Sequence, residues 1–139
     1  MRAHGLIDTG AMLALLHEDD RWHARCVETF RRLRVPWATS VAVLTEFFYL
    51  ASRGPLSVAT AWEFVRSRTI VLLRIDDADL PALDQLMRKY ADRPMDFADA
   101  TLVHLARRES LSTVFTIDHD DFETYRIDGR RRFRIVPGR

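Results

Sequence analysis

The chain has 139 residues, 47% of them hydrophobic, with 21 basic against 20 acidic side chains and a formal net charge of +1. That balance suits a folded globular domain and excludes a low-complexity chain, a disulfide-stapled miniature and a nucleic-acid binder defined by net charge alone. Cys26 has no intrachain disulfide partner, no apolar run approaches the roughly 18 residues a bilayer span needs, and Asp8 interrupts the apolar start where a secretory leader would continue, so a reducing, cytoplasmic setting without membrane contact is expected.

Gly5-Leu6-Ile7 closes on Asp8-Thr9, the pattern of a buried strand running into a helix cap. Residues 11–16 then read as a short apolar helix and 17–21 as a polar loop. Trp22, Cys26, Val27, Phe30 and Leu33 recur at helical spacing, which predicts a second helix over 22–33. Pro36 keeps 35–37 extended as a brief strand. Ser40 caps a third helix carrying Val43, Leu44, Phe47, Phe48 and Leu50, which Gly54-Pro55 ends. A fourth helix covers 56–68, and the β-branched run 69–75 is the clearest strand. Residues 76–90 form a fifth helix. Residues 95–108 form a sixth, started by Pro94 and turning Phe97 to the core. A strand over 113–117 ends at Asp118, and 132–136 closes the chain as an edge strand.

Strands separated by helices require crossover connections, hence a parallel sheet with helices on its faces. The expected fold is one α/β domain over residues 1–139, a three-layer α/β/α sandwich around a mainly parallel sheet of four or five strands. Twenty of the 21 basic residues are arginine, Lys89 being the exception. Arg126, Arg130, Arg131, Arg132 and Arg134 crowd the C-terminal stretch, which fits either a solvated hairpin loop or a patch that tracks a phosphate backbone.

Sites in open α/β sheets lie beyond the carboxyl ends of the strands. Asp8 and Asp118 each follow a strand, so two carboxylates can converge there, although an aspartate in that position is often a turn former or helix cap. Glu46 sits in an otherwise apolar helix stretch, where an unpaired carboxylate is costly and requires a partner, either an arginine or a cation. Asp96 and Asp99 are three apart at a helix start and share a face; favourable interaction with the helix dipole is the competing account of Asp96. Such a set of acids would repel without a cation. Its oxygen donors suit Mg²⁺ or Mn²⁺ better than Zn²⁺, and the five histidines form no metal-binding motif.

Four blocks together resemble the PIN-domain nucleases, and within them the VapC-type toxins of toxin–antitoxin pairs: residues 6–11, 43–50 around Glu46, 95–100 and 115–122. The resemblance covers essentially the whole chain and implies a PIN-like fold. It also implies Asp8 and Asp99 as principal metal ligands, Glu46 and Asp118 as the other members of an acidic quartet, and Asp96 as a further acid at the site. Thr9 and Thr116 resemble flanking hydroxyl residues, although strand-end capping accounts for them too. The implied activity is Mg²⁺-dependent hydrolysis of RNA phosphodiesters, Mn²⁺ substituting, with 5′-phosphate and 3′-hydroxyl products. The implied partners are an RNA substrate, a cognate antitoxin and a second copy in a homodimer, with any exposed aromatics among Trp22, Trp37, Phe48 and Tyr49 serving the protein surfaces. A DNase or phosphatase would use the same metal logic. A Mg²⁺-binding phospho-acceptor module fits less well, since the lone lysine, Lys89, lies within a helix.

Overall fold

A computed structural model describes residues 2–139. Five strands, β1 (Leu6–Ile7), β2 (Trp37–Thr39), β3 (Ile70–Leu72), β4 (Thr113–Phe115) and β5 (Arg134–Val136), form one sheet in the order β3-β2-β1-β4-β5. Every neighbouring pair is parallel, with Leu6 opposite both Ala38 and Val114. All residues of β1, β2 and β4 are buried, as expected of inner parallel strands covered on both faces. The edge strands each expose a residue, Leu72 in β3 and Arg134 in β5.

The helices are α1 (Thr9–Leu16), α2 (His23–Arg32), α3 (Val41–Arg53), α4 (Val58–Val65), α5 (Leu80–Lys89), α6 (Phe97–Arg108) and α7 (His119–Thr124), with a 3₁₀ turn at Asp77–Asp79. Among the helices, α1 packs on α2 and α3, α3 on α4 and α6, and α5 on α6. Ser40 caps α3 as its sequence implies, its hydroxyl accepting from the Val43 N–H at 3.2 Å. The Ser40 hydroxyl also meets that of Thr101 at 2.8 Å, which pins the start of α3 to α6. Residues 98–103 of α6 are all buried. Among the described residues, no helix is long and apolar enough to cross a membrane.

Several elements differ from expectation for identifiable reasons. Pro36 has no N–H to give to a ladder, so β2 pairs only from Trp37, whose N–H donates to the Thr69 carbonyl at 2.7 Å. The 69–75 run is trimmed to three paired residues because β2 turns into α3 after Thr39; the last bond is Leu73 N–H to Thr39 O at 2.9 Å. Pro94 does not start α6. Asp96 does, as the N-cap. Phe97 points outward at 45% exposure rather than into the core. Residues 119–124, where the sequence predicts no element, form α7, and His119 is buried with Nε2 2.8 Å from the Pro137 carbonyl oxygen. A six-residue polar helix offers no apolar period to read.

The arginine-rich C-terminal stretch is a hairpin closed by one Arg126–Arg132 bridge. Its turn uses Gly129 at φ 82° and the Asp128 carboxylate, which accepts from the backbone of Arg131 at 3.0 Å. Of the four aromatics considered for protein surfaces, Trp37 is fully buried and Tyr49 is 58% exposed, while Trp22 and Phe48 are half-buried.

Candidate active site

The strand order reverses between β1 and β4. The chain leaves β1 towards β2 on one side and β4 towards β5 on the other, which opens a crevice at their carboxyl ends. Asp8 follows β1 directly and caps α1, its Oδ1 accepting from the Thr9 N–H at 2.8 Å. Its Oδ2 accepts from the Thr116 hydroxyl at 3.0 Å, and that hydroxyl in turn accepts from the Asp118 N–H at 3.0 Å. Thr116 therefore ties the two strand-end aspartates together. Thr9 bridges elsewhere, donating its hydroxyl to the Val43 carbonyl at 3.3 Å and so seating α1 on α3.

Asp118 is the third residue past β4, beyond Thr116, whose N–H still donates to the Val136 carbonyl at 3.0 Å, and Ile117, and it caps α7. A Cβ on Gly10 would stand 2.9 Å from Ile117 Cγ1, so glycine there lets the start of α1 approach the segment carrying Asp118. Asp96 is exposed and turns back on its own helix, Oδ1 accepting from the Asp99 N–H at 2.8 Å. Asp99 is buried, and the Tyr125 hydroxyl donates to its Oδ2 at 2.8 Å. Glu46 projects half-buried from α3. Among the described residues it has no ion-pair partner, so the arginine bridge weighed for it does not form.

These side chains line one pocket of about 250 Å³: Asp8, Glu46, Asp96, Asp99 and Asp118 with Thr9, Gly10, Leu50, Pro94, Ile117 and a further acid, Asp121. Asp99, Asp118 and Asp121 each offer a carboxylate oxygen within 4.8 Å of the other two. Asp121 accepts from Arg93 at 2.8 Å, the cation that reaches the rim. Sequence reading passed over Asp121, although Asp118-x-x-Asp121 repeats the Asp96-x-x-Asp99 spacing and sits in the fourth block. Tyr125 left no comparable signal.

The charges are strained. Burial raises Asp8 to about 6 against the hydrogen bonds from Thr9 and Thr116, and the charges of Glu46 and Asp118 push the same way. Burial, then Asp8 and Asp96, raises Asp99 to about 8 despite the Tyr125 bond. Asp118 rises to about 6 through burial and the neighbouring Asp121 carboxyl. A site of this kind favours protons or a divalent cation. Every donor is a hard oxygen, and the nearby His119 ring is committed to Pro137 and to packing 5.2 Å from Trp22, so the residues fit Mg²⁺ or Mn²⁺ rather than a nitrogen- or sulfur-seeking ion.

Comparison with known proteins agrees with this architecture. The PIN domain model matches residues 5–128. Ribonuclease VapC26 of Mycobacterium tuberculosis (strain ATCC 25618 / H37Rv) is 28% identical over 142 aligned positions, covering 95% of this chain and 99% of the relative. Among solved structures, Mycobacterium tuberculosis VapC20, a sarcin–ricin loop cleaving toxin, superposes with a TM-score of 0.75 at 19% identity, covering 83% of this chain and 90% of that one. A toxin–antitoxin complex from Klebsiella pneumoniae gives a TM-score of 0.66 at 17% identity, with 95% of each chain covered. The match along most of its length shows that the chain belongs to the PIN-domain family.

Proposed function

We propose that this chain is a divalent-metal-dependent endoribonuclease, the toxin of a VapBC-type toxin–antitoxin pair that inhibits translation by cutting RNA. The observation that carries the reading is the meeting of six acids from four separate segments in one pocket, with Asp8, Asp99 and Asp118 pushed above the ordinary carboxylate range. The VapC ribonuclease relatives add weight to RNA over DNA or a phosphomonoester as substrate.

Asp8, Asp99, Asp118 and Glu46 would hold the ion, with Asp121 beside them and Asp96 fixing the start of α6. Bound there, Mg²⁺ or Mn²⁺ would lower the pKa of an attacking water and offset charge on the phosphoryl oxygens. The protein's own groups set the geometry. Thr9 N–H and Thr116 occupy both oxygens of Asp8 and so fix its rotamer. Glu46, with no ion-pair partner among the described residues, is left available to the ion. No histidine or serine nucleophile lines the pocket, so the expected products of direct water attack carry a 5′-phosphate and a 3′-hydroxyl.

Two protein partners belong to the same proposal. A cognate antitoxin is one, in keeping with the toxin–antitoxin complex among the structural neighbours. A second copy is the other. An apolar groove of about 1040 Å³, bearing exposed Val41, Tyr49 and Phe97, adjoins the acidic pocket through Glu46 and Asp96 and offers the kind of face that a homodimer covers. A cytoplasmic setting, where RNA and a cognate antitoxin would be met, belongs to the same proposal.

The test is cleavage of structured RNA by protein stripped with EDTA, with Mg²⁺ or Mn²⁺ restored, and duplex DNA and a phosphomonoester assayed in parallel. Cleavage of RNA with new 5′-phosphate ends, only when metal is present, is the expected result. RNA cleavage undiminished in EDTA, or hydrolysis confined to DNA or the monoester, would overturn the reading.

A further inference from the structure

Tyr125 is the C-cap of α7, the short helix that Asp118 begins. It is fully buried, and the partner of its hydroxyl is Oδ2 of Asp99 at 2.8 Å. The ring is held on several sides. Tyr90 and Phe122 pack edge-on at 5.1 and 5.2 Å between centroids. The Tyr125 N–H donates to the Asp121 carbonyl at 3.0 Å. The Arg126 guanidinium ties down the carbonyls of Glu123 at 2.7 Å and Thr124 at 3.0 Å, while its backbone N–H donates to the Tyr90 hydroxyl at 3.0 Å. A phenol so confined cannot swing away, and its O–H is the donor of the bond to Asp99.

The pocket's buried aspartates differ in what holds them. Asp8 has a protein donor on each oxygen. Asp99 has Tyr125 on Oδ2 and, among the described residues, no donor on Oδ1. A hydrogen bond from a fixed donor to a carboxylate is short, charge-assisted and directional, and a partner behind a metal ligand sets which oxygen faces the ion.

We propose that Tyr125 is a positioning residue of the metal centre, holding the Asp99 carboxylate by Oδ2 so that Oδ1 is the oxygen presented to the cation. The role rests on the metal-dependent reading above and adds to it a residue outside the acidic set. It also gives α7 a second purpose. One short helix presents Asp118 and Asp121 to the pocket from its start and, from its end, braces Asp99 from behind.

The experiment compares wild type, Tyr125→Phe and Tyr90→Phe, each stripped with EDTA and titrated with Mn²⁺ by calorimetry, alongside thermal melts without metal. Both variants delete one buried tyrosine hydroxyl, but only the first touches Asp99. The expected result is an Mn²⁺ dissociation constant raised about tenfold or more in Tyr125→Phe, the scale seen for lost partners of metal ligands. Tyr90→Phe keeps the ring that packs on Tyr125 and loses only the bond from the Arg126 N–H, so its Mn²⁺ affinity should fall far less than that of Tyr125→Phe, even with a lower melting temperature. Raising Mn²⁺ should restore RNA cleavage by Tyr125→Phe towards the wild-type rate. Unchanged Mn²⁺ affinity in Tyr125→Phe beside normal binding by wild type would overturn the positioning role and leave the nuclease reading intact. Absence of Mn²⁺ binding by wild type would instead remove the metal-dependent reading, and this role with it.

Discussion

Aspartates occupy two opposite regimes in this molecule. Asp79 and Asp128 carry their own cations. Asp79 accepts from the Asp76 backbone and from His104 at 2.8 Å and Arg108 at 3.1 Å, and is held at about 2. Asp128 accepts from the backbone and side chain of Arg131, and is also held at about 2. Among the described residues, Asp8, Asp99 and Asp118 have no basic side chain paired with them and are pushed to between about 6 and about 8. The chain is rich in arginine, yet among the described residues only Arg93 reaches the acids of the β1–β4 crevice, and it engages Asp121. Acids with internal partners knit α5 to α6 or close a hairpin, whereas Asp8, Asp99 and Asp118 have no such cation among the described residues.

The largest effect should separate the two sets by activity. Asp8→Asn or Asp99→Asn should lower metal-dependent RNA cleavage by at least about 100-fold, beyond what loss of an outer partner costs. Each should also raise the melting temperature of the metal-free protein by a few degrees, because it removes repulsion and a buried charge. A cleavage assay with paired melts checks both, and a drop in melting temperature would show that these carboxylates hold the fold.

Next is pH. Asp99 moves from 3.8 to about 8 on folding, and Asp8 and Asp118 from 3.8 to about 6. The folded chain thus binds protons that the unfolded chain has already released, so stability from these groups is complete below the unfolded value and is lost as pH rises through the folded values. Urea denaturation of the metal-free protein should show stability falling across that window, and saturating Mg²⁺ should flatten the fall. Asp79 has the opposite sign. Its contribution is present above 3.8 and disappears as pH drops through about 2.

Asp79→Asn should lower the melting temperature while leaving Mn²⁺ affinity and the cleavage rate unchanged, since it loosens the tie between the start of α5 and the end of α6 far from the crevice. The smallest effect belongs to Gly10→Ala. Its new methyl would press on Ile117, the residue before Asp118, and a slight displacement of a ligand segment should reduce cleavage by about tenfold or less. Steady-state kinetics with a melt as control would read it; unchanged kinetics would mean that Ile117 simply rotates aside.

Much of the fold was legible because the signals are local. Leu6-Ile7 before Asp8, the Ser40 cap and the β-branched run at Ile70 each declare themselves within a few residues, and helices between strands force parallel pairing. What misled were features set by distant contacts. The extent of β3 depended on where β2 ended, and Phe97 reads as core in a helix whose next six residues are all buried, yet it faces the apolar groove. α7 stayed hidden because six residues with one buried phenylalanine carry no period.

For the site, sequence alone determined which acids demanded an explanation: aspartates at strand ends and a glutamate amid apolar neighbours are costly wherever they fold. It could not fix their company. That Asp8 and Glu46 share a crevice with Asp99 and Asp118, that Asp121 joins them, that among the described residues no arginine answers Glu46 and that Tyr125 stands behind Asp99 were decided by the strand-order reversal and the seating of α7 beside β5. Charge repulsion and desolvation act over a few ångströms of space, and only the folded chain determines which residues are that close.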